Sequence, residues 1–292
     1  MVNGQNLSPK QLAQAIGASE SSVKRWVDDG SIPAFKTAGG HRKIALRDAL
    51  SFIRTRGLNV EQPEVLGMAE VADWARSPSD RSSEHLFRLL EQGHRNRARG
   101  LLLSLYLEGE SLAALFDGPM REALVRIGEL WRDREDGVFV EHRATAICLE
   151  VLHRLNLDFL AVPPGGPVAV GGACAGDQSS LPTLMAALVV RAEGFHDVNL
   201  GPNTPADSLL RAVDRYGARI AWWSANHVED REGASDELRA LVAETENRDV
   251  TLVLGGRVVR ALEPPEAKHV YVADRMGELA ALARGMMNGQ PG

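Results

Sequence analysis

Apolar side chains along this chain keep three different rhythms in succession. Near the amino end Leu12 and Ile16 share one helical face and Val23, Trp26 and Val27 another, with Gly17 between the two runs. Glu20, Ser21, Lys24 and Arg25 are left pointing outward. Ser8-Pro9-Lys10-Gln11 reads as a helix start: Ser8 can cap, Pro9 suits a first-turn position that needs no N–H, and Gln11 can complete a capping box. Ser19 caps the second helix. Ile32 to Phe35 and Thr37 to Ile44 then read as two short strands around a Gly39-Gly40 turn, a hairpin signal. Leu46, Ala49, Leu50 and Ile53 give a closing helix, so the pattern predicts an α winged helix-turn-helix over residues 1–56, with a linker from about Thr55 to Pro63.

From Met68 to Leu160 the spacing is helical throughout. Leu86, Leu89 and Leu90, Leu101 to Leu107, Leu112 to Phe116, Leu124 to Trp131 and Ala144 to Leu160 predict an α-helical bundle over residues 67–161. Val162 to Pro167 is a turn-rich boundary. Beyond it short apolar strands alternate with helices. The strands are Val168–Val170, Val198–Leu200, Ile220–Trp223, Thr251–Leu254 and Val270–Val272; the helices are Leu181–Ala192, Ala206–Tyr216, Glu237–Glu246 and a last one near the end. Repeated βα units predict an α/β doubly wound parallel sheet over residues 167–288. Such sheets take ligands at the carboxyl ends of their strands, where Asp177, Ser179, Ser224 and Gly255 fall.

At 292 residues, two or three domains are expected from a prior of roughly 100–200 residues each. The 44% hydrophobic and 25% charged fractions are those of an ordinary globular protein, and no apolar run approaches the roughly 20 residues that span a bilayer. The amino terminus shows no basic region followed by an apolar stretch, so a cytoplasmic protein without a membrane partner is expected. Cys148 and Cys174 lack metal-site spacing and read as buried thiols; no metal site and no catalytic residue are expected. The run Gly171 to Gly176 lacks the spacing of a dinucleotide fingerprint. His153 and His196 read as surface or core residues, while His227 lies at a strand end. Residues 1–56 hold nine Lys/Arg against four Asp/Glu, a surplus of +5 that leaves −11 for the rest. A basic head on an acidic body points to an anionic partner for the head alone.

Motif spacing adds a resemblance. Asp177, Gln178, Ser179, Ser180, Leu181 and Pro182 are followed after 41 residues by Ser224-Ala225-Asn226, and after 28 more by Gly255-Gly256. This resembles the cobalamin-binding module of methionine synthase and of mutases. Trp131, nine intervening residues, Glu141 and His142 resemble the helical cap of light-responsive, cobalamin-dependent MerR-type repressors of carotenoid synthesis, and residues 7–55 resemble their DNA-binding domain.

The resemblance implies a transcriptional regulator that is not an enzyme, with a double-stranded DNA operator, a homo-oligomeric or other protein partner, and cobalamin as cofactor. It implies backbone contact by the wing (Lys36, Thr37, Gly39, Gly40, His41, Arg42, Lys43) and base reading by Ser21, Ser22 and Arg25, with Lys24 beside them. Trp131, Val138, Glu141 and His142 would lie about the upper corrin face; Asp177, Ser179, Ser180, Ser224, Asn226, Gly255 and Gly256 would lie below. Ser179 stands where that family has its cobalt-ligating His, Pro182 replaces a Gly, Asn226 replaces a Leu, and Arg132 replaces the His of the photoresponsive members. A hydroxyl is a poor cobalt donor and a protonated guanidinium none, so any cobalamin is expected without a protein His at the motif position. Trp222 and Trp223 are expected to crowd the pocket for its nucleotide tail. The alternative is a cofactor-free regulator whose last domain binds proteins.

Overall fold

The computed structural model describes residues 5–72, 82–161 and 164–289; residues 73–81 of the expected bundle and Val162-Pro163 of the expected boundary lie outside them. The chain divides into two compact units, Met1–Ser111 with Gly118–Ala161, and Leu112–Asp117 with Val162–Gly292.

The first unit opens with β1 (Asn6–Leu7), α1 (Pro9–Ala15), α2 (Glu20–Asp28), the hairpin β2 (Phe35–Lys36) and β3 (Arg42–Ala45), and α3 (Leu46–Arg56). Ser8 and Gln11 form the capping box that starts α1, and the Ser19 hydroxyl accepts from Ser22 N at the start of α2. β3 is the centre of a three-stranded antiparallel sheet ordered β1-β3-β2. The sequence pattern missed β1, because two residues are too few for alternation to register. Leu7, Leu12, Val23, Ile44, Leu50 and Ile53 close a small core, and Trp26 packs on Phe52 with ring centroids 5.1 Å apart.

The expected linker is pinned rather than slack. Glu61 and Gln62 donate their backbone N–H groups to Ala15 O, and Pro63–Leu66 and Ala69–Val71 wind into 3-10 turns. Among the described residues four helices follow: α4 (Ser83–Gln92), α5 (Arg95–Leu107), then α7 (Arg121–Asp133) and α8 (Gly137–Arg154), after the short α6 (Leu112–Leu115), which belongs to the second unit. α4 and α8 each pack on both α5 and α7, which makes a bundle.

α3 docks on this bundle through its cations. Arg47 donates to Leu157 O at 2.8 Å. Arg54 donates to Tyr106 O at the end of α5 and to Gly109 O at 3.2 Å, with its guanidinium 4.0 Å from the Tyr106 ring centroid. A cation at those last carbonyls meets the negative end of the helix dipole.

In the second unit, β4 (Val168–Ala173), β5 (His196–Gly201), β6 (Ala218–Ser224), β7 (Thr251–Gly255) and β8 (Val270–Ala273) form one parallel sheet in the order β5-β4-β6-β7-β8. α9 (Ser180–Ala192) and α12 (Met276–Met287) pack together, as do α10 (Ala206–Tyr216) and α11 (Arg231–Asn247). Trp223, Leu238, Leu241, Leu252 and Leu254 belong to the core beneath α10 and α11. α11 begins six residues before the expected Glu237, because Arg231 to Asp236 hold no apolar stripe; the Asp230 side chain caps them by accepting from Gly233 N at 2.9 Å. The Asp117 carboxylate accepts from Met276 N and Gly277 N, both at 2.8 Å, and so anchors Leu112–Asp117 at the start of α12.

Arg54→Ala removes a charge-assisted bond to carbonyls and a stacking contact on a buried ring. We expect a loss of about 2 kcal/mol in unfolding free energy and a calorimetric trace in which the head melts before the bundle. A single unshifted transition would show that the docking contributes nothing.

Candidate functional site

The strand order reverses between β4 and β6, which both neighbour each other while their connections leave in opposite directions; the crevice at such a switch point is where open α/β sheets receive ligands. Here the two loops are tied by one carboxylate. Asp177, fully buried, accepts from Ser179 N at 2.9 Å through one oxygen, and from Asn226 N at 2.7 Å and Asn226 Nδ2 at 3.3 Å through the other. Asn203 completes the knot: its N–H donates to Asp177 O and its Oδ1 accepts from Gly176 N, each at 2.8 Å. Asn203 escaped the sequence reading, being a loop residue without motif; its φ of 51° is a conformation asparagine tolerates.

Gly255 and Gly256 bring the loop after β7 against this knot. Gly255 O accepts from Ala225 N at 2.9 Å, and a Cβ on Gly256 would lie 2.4 Å from Ala225 O. Only glycine allows that approach. The motif residues Asp177, Ser179, Asn226, Gly255 and Gly256 are thus brought together. Ser180 starts α9, and Pro182 sits in its first turn, where a missing N–H is harmless. Ser224 Oγ, at the end of β6, is buried and has no hydrogen-bond partner among the described residues. His227 points to solvent, 4.0 Å from Glu229.

Below the knot the crevice is filled from within. The Trp222 indole, 2% exposed, lies across β4 at Gly171, its register partner, where a Cβ would be 2.1 Å from the ring. Its Nε1 donates to Thr183 Oγ1 at 2.9 Å, and Thr183 Oγ1 donates to Asn199 Oδ1 at 2.9 Å. Trp223 packs on the opposite side of the sheet, as alternation requires. Burial pushes the Cys174 and Cys148 thiols up to about 12, so both are inert structural groups.

In the bundle, Arg134 fixes the corner between α7 and α8 by a fork to Asp136 at 2.9 and 3.0 Å and a bond to Glu91 at 2.7 Å. Trp131, 61% exposed, and Val138 project from that corner. Arg132 and His142 are exposed and Glu141 is half-buried; His142 Nε2 stands 3.6 Å from Glu141, which also accepts from Thr145 Oγ1 at 3.1 Å.

The head carries a groove of about 670 Å³ lined by Ser8, Pro9, Lys10, Glu20, Lys24 and the hairpin residues Lys36, Thr37, Gly40, His41, Arg42 and Lys43. Thr37 N donates to His41 O and Gly40 N to Thr37 O, which shapes the hairpin turn. Lys24 pairs with Glu20 at 2.8 Å, holding that carboxyl below its usual range, and Arg42 pairs with Asp28. Lys10 joins the groove although the sequence reading gave it only a place at a helix start. Ser21, Arg25 and Gly39 are exposed outside the lining, and Ser22 is half-buried with Oγ 2.9 Å from that of Ser19.

Residues 83–156 match the B12 binding domain family. They span α4 to α8, the four-helix bundle. The fold is similar to that of the monomethylamine corrinoid protein of Methanosarcina barkeri, with a TM-score of 0.54 and 17% identity over 70% of this chain and 97% of that one. The methanol:cobalamin methyltransferase complex of the same organism covers 70% of this chain at a TM-score of 0.35 and 15% identity. A cobalamin-binding protein from Desulfitobacterium hafniense covers 70% at 0.36 and 13%. Nothing among curated proteins matches the chain. The bundle match and the corrinoid-protein fold support cobalamin binding. The tied loops of Asp177, Asn226 and Gly255-Gly256 leave room for a corrinoid only outside them, and the space beneath, where Trp222 lies across Gly171, does not fit an inserted group. No helix among the described residues is long and apolar enough to cross a membrane.

Asp177→Asn replaces one acceptor oxygen with an amide NH2 that would face N–H donors at the centre of the knot. The expected loss is about 2–3 kcal/mol, read as a lower urea midpoint at unchanged slope. A loss under about 0.5 kcal/mol would mean that the loops hold without it.

Proposed function

We propose that this chain is a DNA-binding transcriptional regulator of the MerR type, in which residues 1–56 grip duplex DNA as a winged helix-turn-helix. The bundle (67–161) and α/β domain (167–288) form a corrinoid-sensing or assembly module. The observation that carries the reading is the groove, which draws Lys10, Lys24, Lys36, Arg42 and Lys43 from one helix start, one helix and one hairpin onto a single open face. Cations on a helix and an adjacent β-hairpin are what phosphate neutralisation on both sides of a groove requires. Ser21, Ser22 and Arg25 of α2 would read bases, and the exposure of Ser21 and Arg25 supports that role. Homo-oligomers present several heads at once, so a module that controls association controls DNA affinity steeply.

The residues proposed for cobalamin are, within the bundle, Trp131, Val138, Glu141 and His142, and, within the α/β domain, Asp177, Ser179, Ser180, Ser224, Asn226, Gly255 and Gly256. Cobalamin brings a cobalt–carbon bond when it carries an alkyl group. A second reading, a cofactor-free protein-interaction module, is favoured by the filled crevice around Trp222. The chain itself is assigned no catalysis.

Arg42→Ala should weaken binding to a duplex selected from a random library and shallow the plot of log affinity against log salt by about one unit. Loss of affinity with an unchanged slope would remove Arg42 from the phosphate contacts. Neither Arg132 nor Ser179 can donate an imidazole to cobalt after light cleaves an alkyl group. Green light should therefore leave oligomeric state unchanged and operator affinity within about threefold, under roughly 0.7 kcal/mol, in the presence of adenosylcobalamin. Dissociation on illumination with a tenfold loss of affinity contradicts this.

A further inference from the structure

We infer that Trp222 is a built-in occupant of the switch-point crevice, which limits this chain to corrinoids whose nucleotide base stays outside the α/β domain. The inference rests on the corrinoid reading above and narrows it to a ligand class: cobalamin with its base on its own cobalt, or cobinamide, which has no base.

Three features of the second unit converge on it. First, the indole has been given room: Gly171 is the register partner of Trp222 on β4, and any side chain there would collide with the ring. Second, the indole N–H is held by a hydrogen-bond chain. Its Nε1 is bonded to Thr183 in the first turn of α9, and that hydroxyl is bonded in turn to Asn199 on β5, so the polar groups that an incoming heteroaromatic would need are already satisfied. Third, the loops above are closed by Asp177 across to Asn226, and Ser224 Oγ, buried at the end of β6, has no hydrogen-bond partner among the described residues. Ser224 and Trp222 are two residues apart on β6 and therefore share a face. Packed interiors do not hold two aromatic groups in the space of one. A planar base entering past these loops meets the Trp222 ring.

The test is equilibrium binding of cyanocobalamin and dicyanocobinamide to the full chain, with absorption spectra of bound methylcobalamin. The wild type should bind cobinamide at least as tightly as cobalamin, and bound methylcobalamin should show its base-on spectrum. Trp222→Ala should raise affinity for cobalamin relative to cobinamide tenfold or more, and Trp222→Val, which keeps a strand-forming side chain, should act in the same direction. Free 5,6-dimethylbenzimidazole should raise the melting temperature of Trp222→Ala and leave that of the wild type unchanged. If the wild type binds neither corrinoid but Trp222→Ala takes up cobalamin, the occupant stands and the corrinoid reading of the natural chain falls. Tenfold preference of the wild type for cobalamin with a base-off spectrum overturns the inference. So does an unchanged ratio in both variants, or failure of every form to bind either corrinoid.

Discussion

One buried carboxylate organises the carboxyl end of the sheet. Asp177 is reached by the backbone of its own loop and by Asn226, a residue 49 positions away, so it joins two connections that leave the switch point in opposite directions. The Gly255-Gly256 turn then closes on Ala225. A carboxylate that accepts several N–H groups fixes the loops that supply them. Beside these tied loops Ser224 Oγ is buried and has no hydrogen-bond partner among the described residues.

On the inference drawn above, this domain keeps a corrinoid-protein frame while changing what it admits. Ser179, Pro182 and Trp222 are ordinary residues by their local roles: one precedes a helix, one sits in its first turn, and one fills a core. Together they take away an imidazole donor, start the helix and occupy the space beneath the mouth. The bundle keeps its exposed Trp131 and Val138, held by the Arg134 fork at the corner of α7 and α8.

Element types were legible because the hydrophobic rhythm changes from helical to βα at a turn-rich boundary. What escaped lacked any rhythm. β1 has two residues, the first turns of α11 have no apolar stripe, and the docking of α3 on the bundle depends on Arg47 and Arg54, whose partners are backbone carbonyls 110 and 52 positions away. Motif spacing located the crevice, since loop lengths in βα units are constrained, yet spacing is silent on direction. That Trp222 turns toward α9 and Trp223 toward the opposite face follows from pleat and register, and the partner of each ring appears only in three dimensions. Lys10 is likewise placed in the basic groove by folding, being distant in sequence from the hairpin it faces.

The head is docked on the bundle by guanidinium groups, and its groove gathers cations from α1, α2 and the hairpin, so the account stands on that groove being a DNA surface. The most direct test is the affinity of the full chain for a library-selected duplex, titrated from low to physiological salt. Up to five phosphate contacts should give a linear fall of log affinity with log salt, with a slope between about −3 and −4.5. A flat dependence, or no duplex retained at low salt, would contradict the account.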